Sequence, residues 1–198
     1  MSKAWDKVEK EARTEDDLLP NRWLKACLDE LEPGKIFIPG AGEGHSAVYA
    51  ALHGWEVHAY DRSSHQQRKA LARAEERGAD IEYWVGDMEA IQVGEEAYDA
   101  IAPLFVHLPP IPRKKLHARL MKGLKGGGHW IMEAFSKEQI SYYSGGPPDI
   151  DRLFAIEDIE SDLNALDILN STEEEIELKE GGRSMGPAKV IRLFGKKA

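Results

Sequence analysis

A short apolar run that breaks into alternating glycines, residues 35–44 (KIFIPGAGEG), constrains the fold of this chain more than any other feature. The apolar run predicts a β-strand, the glycines predict a tight turn, and the pattern that begins near His45 predicts a helix. Glycine accepts the positive φ of such a turn and, because it lacks Cβ, lets a ligand approach the backbone closely. The unpaired N–H groups at the start of the helix would face the same ligand. The stretch therefore predicts a strand, a ligand-binding turn and a helix.

Carboxylates follow two further predicted strands. The strand at 55–60 ends in Asp61, and the strand at 81–85 leads into Asp87. Nucleotide-binding α/β folds place an acid about 20 residues beyond the glycines, where it binds ribose hydroxyls. Asp61 has that spacing, although it also fits the N-cap of the helix that follows it, just before Ser63.

The remaining pattern alternates strands with helices or loops. Strands are predicted at 98–103 and 129–135, with an exposed basic helix at 113–125 and a turn at the glycines 126–128 between them. Two later runs, 165–179 and 188–195, have the partial alternation of a hairpin. This order predicts an α/β fold in which a mostly parallel sheet carries helices on both faces and ends in an antiparallel hairpin. The ligand crevice of such a fold lies beyond the carboxyl ends of the strands.

Length and charge limit what the chain can bind. Its 198 residues, 42% of them hydrophobic, are enough for one well-packed domain and few for two. We therefore expect a single domain over 1–198, with an N-terminal lid or helix segment at 1–32 and the core at 33–198. The formal charge of −9 argues against DNA or RNA as a partner, because such binding requires a basic surface. A small molecule is the expected ligand.

A single cysteine, the lack of an apolar stretch of membrane-spanning length and the lack of a signal-peptide core at the start indicate a reduced, cytoplasmic protein. Cys27 lies between Leu24 and Leu28 in a helical pattern, which favours buried packing over a reactive thiol. No cluster of histidines and cysteines suggests a zinc site. We expect neither membrane contact nor a bound metal.

Together these motifs resemble those of the class I S-adenosylmethionine-dependent methyltransferases, and the resemblance covers nearly the whole chain. It implies a Rossmann-like fold with a seven-stranded sheet, S-adenosylmethionine as the cofactor and S-adenosylhomocysteine as the product. In that family's pattern the glycine turn binds the cofactor, the acid after the second strand holds the ribose, and the turn after the third strand recognises adenine. The cofactor-binding residues implied here are Gly40, Ala41, Gly42, Gly44, Asp61, Arg62, Asp87, Met88 and Pro103.

Residues 36–39 and 144–148 are similar to the small-molecule branch that includes thiopurine and tellurite-resistance methyltransferases. This similarity implies a thiol, a thiopurine or a tellurite- or selenite-like acceptor. Ile38 stands where most class I enzymes have an acid, which leaves the ammonium group of the cofactor without a side-chain partner. We expect backbone carbonyls near Gly40 and Pro103 to bind that group.

Two other functions fit the same scaffold. A nicotinamide dehydrogenase would require glycine three positions after Gly42, where this chain has His45. A sensor or partner-binding protein would keep the cofactor fold without turnover, and the lack of an evident catalytic base in the sequence agrees with it. The Gly-x-Gly-x-Gly spacing favours the methyltransferase.

Methyl transfer from a sulfonium ion is an in-line displacement that depends on aligned reactants and exclusion of water. If a base takes part, His107 is the best candidate, because it follows the fourth strand and imidazole titrates near neutral pH. The alternative for His107 is a structural hydrogen bond. Glu133, at the end of the fifth strand, either accepts a proton or forms a salt bridge.

Loops and the N-terminal segment supply the candidates for the acceptor site and its cover. Tyr142 and Tyr143 either line the acceptor pocket or pack within their loop. Arg183, in the hairpin turn, either attracts an anionic substrate or lies exposed. Trp23 either folds over the cofactor as a lid or packs against the core. A monomer and a homodimer both fit the sequence.

Overall fold

The computed structural model describes residues 19–180 and 184–198. The strands are β1 Lys35–Pro39, β2 Glu56–Asp61, β3 Ile81–Val85, β4 Tyr98–Ile101, β5 Leu124–Phe135, β6 Leu166–Glu180 and β7 Ser184–Lys197. The α-helices are α1 Arg22–Leu28, α2 His45–Leu52, α3 Ser64–Arg77, α4 Pro110–Gly123 and α5 Ile156–Asp162. Short 3-10 helices span Met88–Ala90, Lys137–Ser141 and Ile150–Arg152. None of the helices in the described part of the chain is long and apolar enough to cross a membrane.

The strands form one seven-stranded sheet in the order β3-β2-β1-β4-β5-β7-β6. Strands β1 to β5 run parallel, and β6 and β7 close the sheet as antiparallel neighbours. Side chains of the central strand β1 alternate between two cores. Ile36 and Ile38 join the core beneath α1, α2 and α3, whereas Phe37 joins the core beneath α4 and α5. The predicted fold class is confirmed.

The helix α1, which precedes β1, buries the apolar face that its spacing predicted, and it is capped by Asn21. The side-chain oxygen of Asn21 accepts a hydrogen bond from the N–H of Leu24 at 2.8 Å. Leu24, Cys27 and Leu28 are buried. Burial raises the pKa of the Cys27 thiol to about 12. A thiol that stays protonated is a poor nucleophile, in agreement with a packing role for Cys27.

The β6–β7 hairpin extends beyond the strand it pairs with. β5 ends at Phe135, opposite Val190, so the residues of β7 before Val190 continue past β5 together with their partners in β6. This extension is fastened by a third apolar cluster, which contains Phe135, Leu153, Leu178, Ala188 and Val190. Because β5 runs parallel to β1 and β4, the hairpin forms a wall beside the carboxyl edge of the sheet.

Two local expectations were wrong. Residues 126–128 lie within β5 instead of forming a turn, and the register between β4 and β5 shifts after Tyr98 to accommodate them. The helix α4, expected to be an exposed basic helix, buries Arg113 and His117. Arg113 donates from Nε to Oδ2 of Asp162 in α5 at 2.7 Å. A charge pattern in the sequence does not reveal the distant acid that allows an arginine to be buried.

Gly44 shows why the turn before α2 requires glycine. It has a φ of +79°, and a Cβ at this position would lie 2.5 Å from Cβ of Ala70 in α3. The turn therefore sets how closely α2 and α3 pack.

Gly44→Ala should lower the free energy of unfolding by about 2–4 kcal/mol, because it adds backbone strain to a clash with Ala70. Gly78→Ala is the matched control, since Gly78 also has a positive φ, +65°, but a Cβ there would meet nothing within 4 Å. That control should lose only about 1 kcal/mol. Urea unfolding of both variants measures the difference, and equal losses would contradict the packing constraint.

Candidate active site

A cavity of ≈250 Å³ opens at the carboxyl ends of β1 and β4, beside the glycine turn. We call it the turn cavity. It is lined by Leu19, Asn21, Ile38, Gly40, Ala41, Glu43, His45, Ser46, Gln66, Leu104 and Phe105. Open α/β sheets bind their ligands in this position.

The glycine turn is held in place by β2 and β3. The N–H groups of Gly40 and Ala41 donate to the carbonyl of Tyr60 at 2.7 and 3.1 Å. Tyr83 donates its hydroxyl to the carbonyl of Gly42 at 2.7 Å. Gly42 has a φ of +53°, and a Cβ there would meet nothing within 4 Å. The missing side chain of Gly42 thus leaves space for a ligand to reach the backbone.

Asp61 lies against this turn. Its Oδ2 accepts a hydrogen bond from the N–H of Gly42 at 3.3 Å, and its Oδ1 accepts one from the N–H of Ser63 at 3.0 Å. The N-cap of α3 is Ser63, whose hydroxyl accepts from the N–H of Gln66 at 3.3 Å. The N-cap alternative for Asp61 therefore does not apply. Arg62, the next residue, is exposed.

Asp87 lies at the same edge of the sheet as Asp61, because β2 and β3 run parallel with Asp61 opposite Val85. The side chain of Asp87 is exposed and accepts a hydrogen bond from the N–H of Glu89 at 2.9 Å. Met88 packs, half-buried, against the core beneath α4. The two acids thus follow neighbouring strands, as the sequence predicted.

The loop after β4 forms another wall of the turn cavity. Pro103 is buried and does not line the cavity, whereas Leu104 and Phe105 do. The carbonyl oxygen of Leu104 lies 3.6 Å from the place that a Cβ of Gly40 would take. A backbone carbonyl therefore borders the cavity beside Gly40, one residue later than expected.

The carboxylate of Glu133 in β5 is 1% exposed and hydrogen-bonded at both oxygens. Oε1 accepts from Nε of Arg192 in β7 at 2.6 Å, and Oε2 accepts from the side-chain amide of Asn21. Arg192 also donates from Nη1 to Glu174 of β6 at 3.1 Å. The salt bridge that was one interpretation of Glu133 is present. The salt bridge joins β5 to the hairpin, and the hydrogen bond from Asn21 links the N-cap of α1 to the same carboxylate.

A larger cavity of ≈490 Å³ lies between α1 and the hairpin, and we call it the hairpin cavity. It is lined by Leu19, Pro20, Arg22, Trp23, Ala26, Glu133, Ile176, Glu177, Leu178 and Arg192. Leu19 lines both cavities. Asn21 of the turn cavity contacts Glu133 of the hairpin cavity. The two cavities are therefore neighbours.

Trp23 lines the hairpin cavity and not the turn cavity. The guanidinium carbon of Arg192 lies 5.5 Å from the centroid of its ring, which also packs against the core beneath α1. Its indole Nε1 is buried and makes no hydrogen bond with the described residues. The attraction between Arg192 and the ring holds Trp23 beside the hairpin, and its contact with the core agrees with the packing alternative.

Both ring nitrogens of His107 are engaged by the backbone. Nδ1 lies 2.8 Å from the carbonyl of Arg152 and so carries the proton, and Nε2 accepts from the N–H of Phe135 at 3.2 Å. Burial lowers the pKa of His107 to about 4. This geometry agrees with the structural interpretation of His107 and leaves neither nitrogen available to a substrate.

The candidates from the loop after β5 do not line either cavity. Tyr142 donates its hydroxyl to Oε2 of Glu175 at 2.6 Å, so it is held against the hairpin. Tyr143 is fully exposed. Arg183 lies outside the described residues. A role for these three residues in acceptor binding stays a prediction.

Sequence reasoning missed three polar residues of the turn cavity, Asn21, Ser46 and Gln66. Asn21 stands before a helical pattern, which is an N-cap signal, and its N–H donates to the hydroxyl of Ser46 at 3.1 Å. Gln66 has no such signal. Its Oε1 is buried without a hydrogen bond to a described residue. A donor on a bound ligand would satisfy this oxygen, so the cavity fits a ligand that carries polar groups.

Glu43 is an acid in the wall of the turn cavity, but cations neutralise it. Its Oε1 lies 2.7 Å from Nζ of Lys69, and its Oε2 lies 3.7 Å from a guanidinium nitrogen of Arg73. Burial raises the pKa of Glu43, yet the hydrogen bond from Lys69 and the charge of Arg73 outweigh that effect and hold the pKa below its usual value. Glu43 therefore adds little net negative charge to the cavity.

The environment of His107 leads to a prediction about pH. Because its pKa falls on folding from 6.5 to about 4, the unfolded chain binds more protons in that interval, and stability decreases as the pH falls through it. We expect this residue to remove about 2 kcal/mol of unfolding free energy between pH 7 and pH 5. His107→Gln should lose less over the same interval. Urea unfolding at the two pH values measures both proteins, and identical pH dependence would refute the prediction.

Residues 37–128, somewhat under half of the chain, match a family described as a methyltransferase domain. No curated protein matches the chain in sequence.

Solved structures match the fold over most of the chain. TehB from Haemophilus influenzae is 18% identical with a TM-score of 0.74, over 88% of this chain and 61% of TehB. A SAM-dependent methyltransferase from Methanosarcina mazei is 15% identical with a TM-score of 0.71, over 87% of this chain and 96% of its own. Another from Aquifex aeolicus is 15% identical with a TM-score of 0.67, over 98% of both chains. At these identities the likeness shows the fold.

The matched region includes most of the glycine turn, Asp61 and Asp87. The chain thus contains a region similar to a methyltransferase domain, within a fold shared with SAM-dependent methyltransferases of known structure.

Proposed function

We propose that this chain is a class I S-adenosylmethionine-dependent methyltransferase that transfers the methyl group of the cofactor to a small organic acceptor bound in the hairpin cavity. The observation that carries the proposal is the adjacency of the two cavities, which share Leu19 and meet where Asn21 contacts Glu133. A methyl donor in the turn cavity and an acceptor in the hairpin cavity would be close enough for direct transfer. An in-line displacement requires this arrangement.

In this proposal the turn cavity and its rim hold the cofactor. Asp61 accepts hydrogen bonds from the ribose hydroxyls, Asp87 recognises adenine, and the open backbone at Gly42 lets the cofactor approach. The carbonyl of Leu104 and Oε1 of Gln66 are acceptors for the ammonium group. The carbonyl of Leu104 borders the turn cavity and Gln66 lines it. Their positions support the expectation that the ammonium group needs no acid at position 38.

The size and lining of the hairpin cavity favour an organic acceptor. A volume of ≈490 Å³ is in the range typical of sites for drug-sized molecules, and a tellurite- or selenite-like oxyanion would fill a small part of it. Leu19, Ile176 and Leu178 provide apolar walls, and Trp23 provides an aromatic one. Among the acceptors that the sequence suggested, a thiol on an organic body fits this lining better than an oxyanion.

Bound S-adenosylmethionine supplies a methyl group carried on a positively charged sulfur. The acceptor thiol gives its proton to solvent and attacks as the thiolate, so that one sulfur–carbon bond forms as the other breaks. Glu133 and His107 do not act as bases here, because their oxygens and nitrogens are already hydrogen-bonded. Glu133 instead positions α1 and the hairpin on the two sides of the acceptor. Alignment and exclusion of water then account for the rate.

Asp61→Ala should weaken binding of S-adenosylmethionine by about 1–3 kcal/mol, because ribose hydroxyls lose a charged hydrogen-bond acceptor. Asp80→Ala is the control, since Asp80 is exposed and lines neither cavity. Isothermal titration calorimetry measures both variants. Unchanged affinity in Asp61→Ala would remove Asp61 from the site.

A panel of small thiols, thiopurines, selenite, tellurite and halides, incubated with labelled cofactor and scored for methylated product, tests the acceptor. We expect methylated thiols and no methylated oxyanion or halide. Ala26→Trp fills the hairpin cavity and should lower kcat/KM for thiols by about 10-fold or more without changing cofactor affinity. Ala72→Trp, on the exposed face of α3, is the matched control.

Turnover of tellurite without turnover of any thiol would contradict the organic acceptor. Tight cofactor binding with no turnover of any compound would instead favour a sensor.

A further inference from the structure

Phe105 has a φ of +52°, in the left-handed region that bulky residues rarely adopt. Such a conformation persists only where the surroundings enforce it, and it concentrates at functional sites. Phe105 lies in the loop after β4, at the carboxyl edge of the sheet. The conformation of Phe105 is therefore enforced by its surroundings and points to a functional role.

The cause lies in β5. The N–H of Phe105 donates to the carbonyl of Glu133 at 2.7 Å, next to a bridge between Leu104 and the same residue. The ring of Phe105 lies 4.8 Å from the ring of Phe135, centroid to centroid. One hydrogen bond and one ring contact thus hold both the backbone and the side chain of Phe105.

Phe105 lies beside the boundary of the two cavities, because its N–H binds the carbonyl of Glu133, whose side chain contacts Asn21 there. Phe105 lines the turn cavity together with Ile38, Gly40 and Leu104. It also packs against the third apolar cluster, as does Ile176, which lines the hairpin cavity. A methyl group that passes from one cavity to the other would cross this boundary.

The charges near this boundary are already compensated. Glu133 is paired with Arg192, and Glu43 with Lys69. A positive sulfur placed there would find an aromatic face but no unpaired carboxylate among the described residues that line the turn cavity. Aromatic rings attract cations through the negative potential of their faces.

We propose that Phe105 contacts the cofactor and stabilises its positively charged sulfur by a cation–π interaction, so that the enzyme binds S-adenosylmethionine more tightly than neutral S-adenosylhomocysteine. The inference rests on the proposed placement of cofactor and acceptor in the two cavities. Transfer of the methyl group removes the charge and with it this attraction. Phe105 thereby assists release of the product.

The test compares Phe105→Leu with the wild type for binding of S-adenosylmethionine, S-adenosylhomocysteine and sinefungin, which carries a protonated amine in place of the sulfonium. Leucine retains Cβ and an apolar side chain, so the backbone strain is similar and only the ring is lost. We expect about 3- to 10-fold weaker binding of the two cations and less than about 2-fold weaker binding of S-adenosylhomocysteine. Phe105→Tyr should restore the preference.

Phe194→Leu is the control, because Phe194 is also half-buried and ring-stacked, on His129 at 5.4 Å, but lines neither cavity. Equal losses for all three ligands in Phe105→Leu, or no loss, would overturn the proposal. The measurement needs no acceptor, so an enzyme that binds cofactor but methylates no compound of the panel refutes the proposed acceptor alone. Failure of the wild type to bind any of the three ligands would overturn both.

Discussion

The buried ion pair between Glu133 and Arg192 is the interaction on which the arrangement of both cavities depends. The side chain of Glu133 accepts hydrogen bonds from Asn21 and Arg192, and its carbonyl accepts one from the N–H of Phe105. The helix α1, the loop after β4 and the hairpin therefore meet at one residue. Buried ion pairs add little net stability, because desolvation offsets their attraction, but loss of one partner is costly. The pair is better understood as fixing geometry than as strengthening the fold.

The position of the turn cavity was predictable because its determinants are local, although only Gly40 and Ala41 of the predicted cofactor-binding residues line it. Gly40, Gly42 and Asp61 follow strands whose apolar patterns are evident, and parallel strands bring such ends to one edge. The hairpin cavity was not predictable, since α1, β5 and the hairpin come together only in the folded chain. Tyr142 was assigned to the acceptor site from its place in an aromatic loop. Nothing in the sequence indicated that its hydroxyl donates to Glu175, a carboxylate in the hairpin.

The charge states of titratable residues also depend on contacts that the sequence does not reveal. His107 was recognisable as a histidine after the fourth strand, but its partner Arg152 lies 45 residues away and Phe135 lies 28 residues away. Arg113 was expected in solvent, and its partner Asp162 lies 49 residues away. A sequence pattern predicts which face a residue occupies, while its charge state depends on partners that only the tertiary structure supplies.

The overhang of the hairpin beyond Phe135 divides the molecule into parts of unequal local stability. The turn cavity rests on β1, which has a paired strand on each side, so opening it would require unfolding of the sheet. The overhanging strands pair mainly with each other and are fastened by the third apolar cluster. A two-stranded ribbon is marginally stable by itself, and such segments open at a small fraction of the global free energy. In the proposed arrangement the acceptor would therefore exchange through fluctuations of the overhang, while the cofactor stays bound on a rigid base.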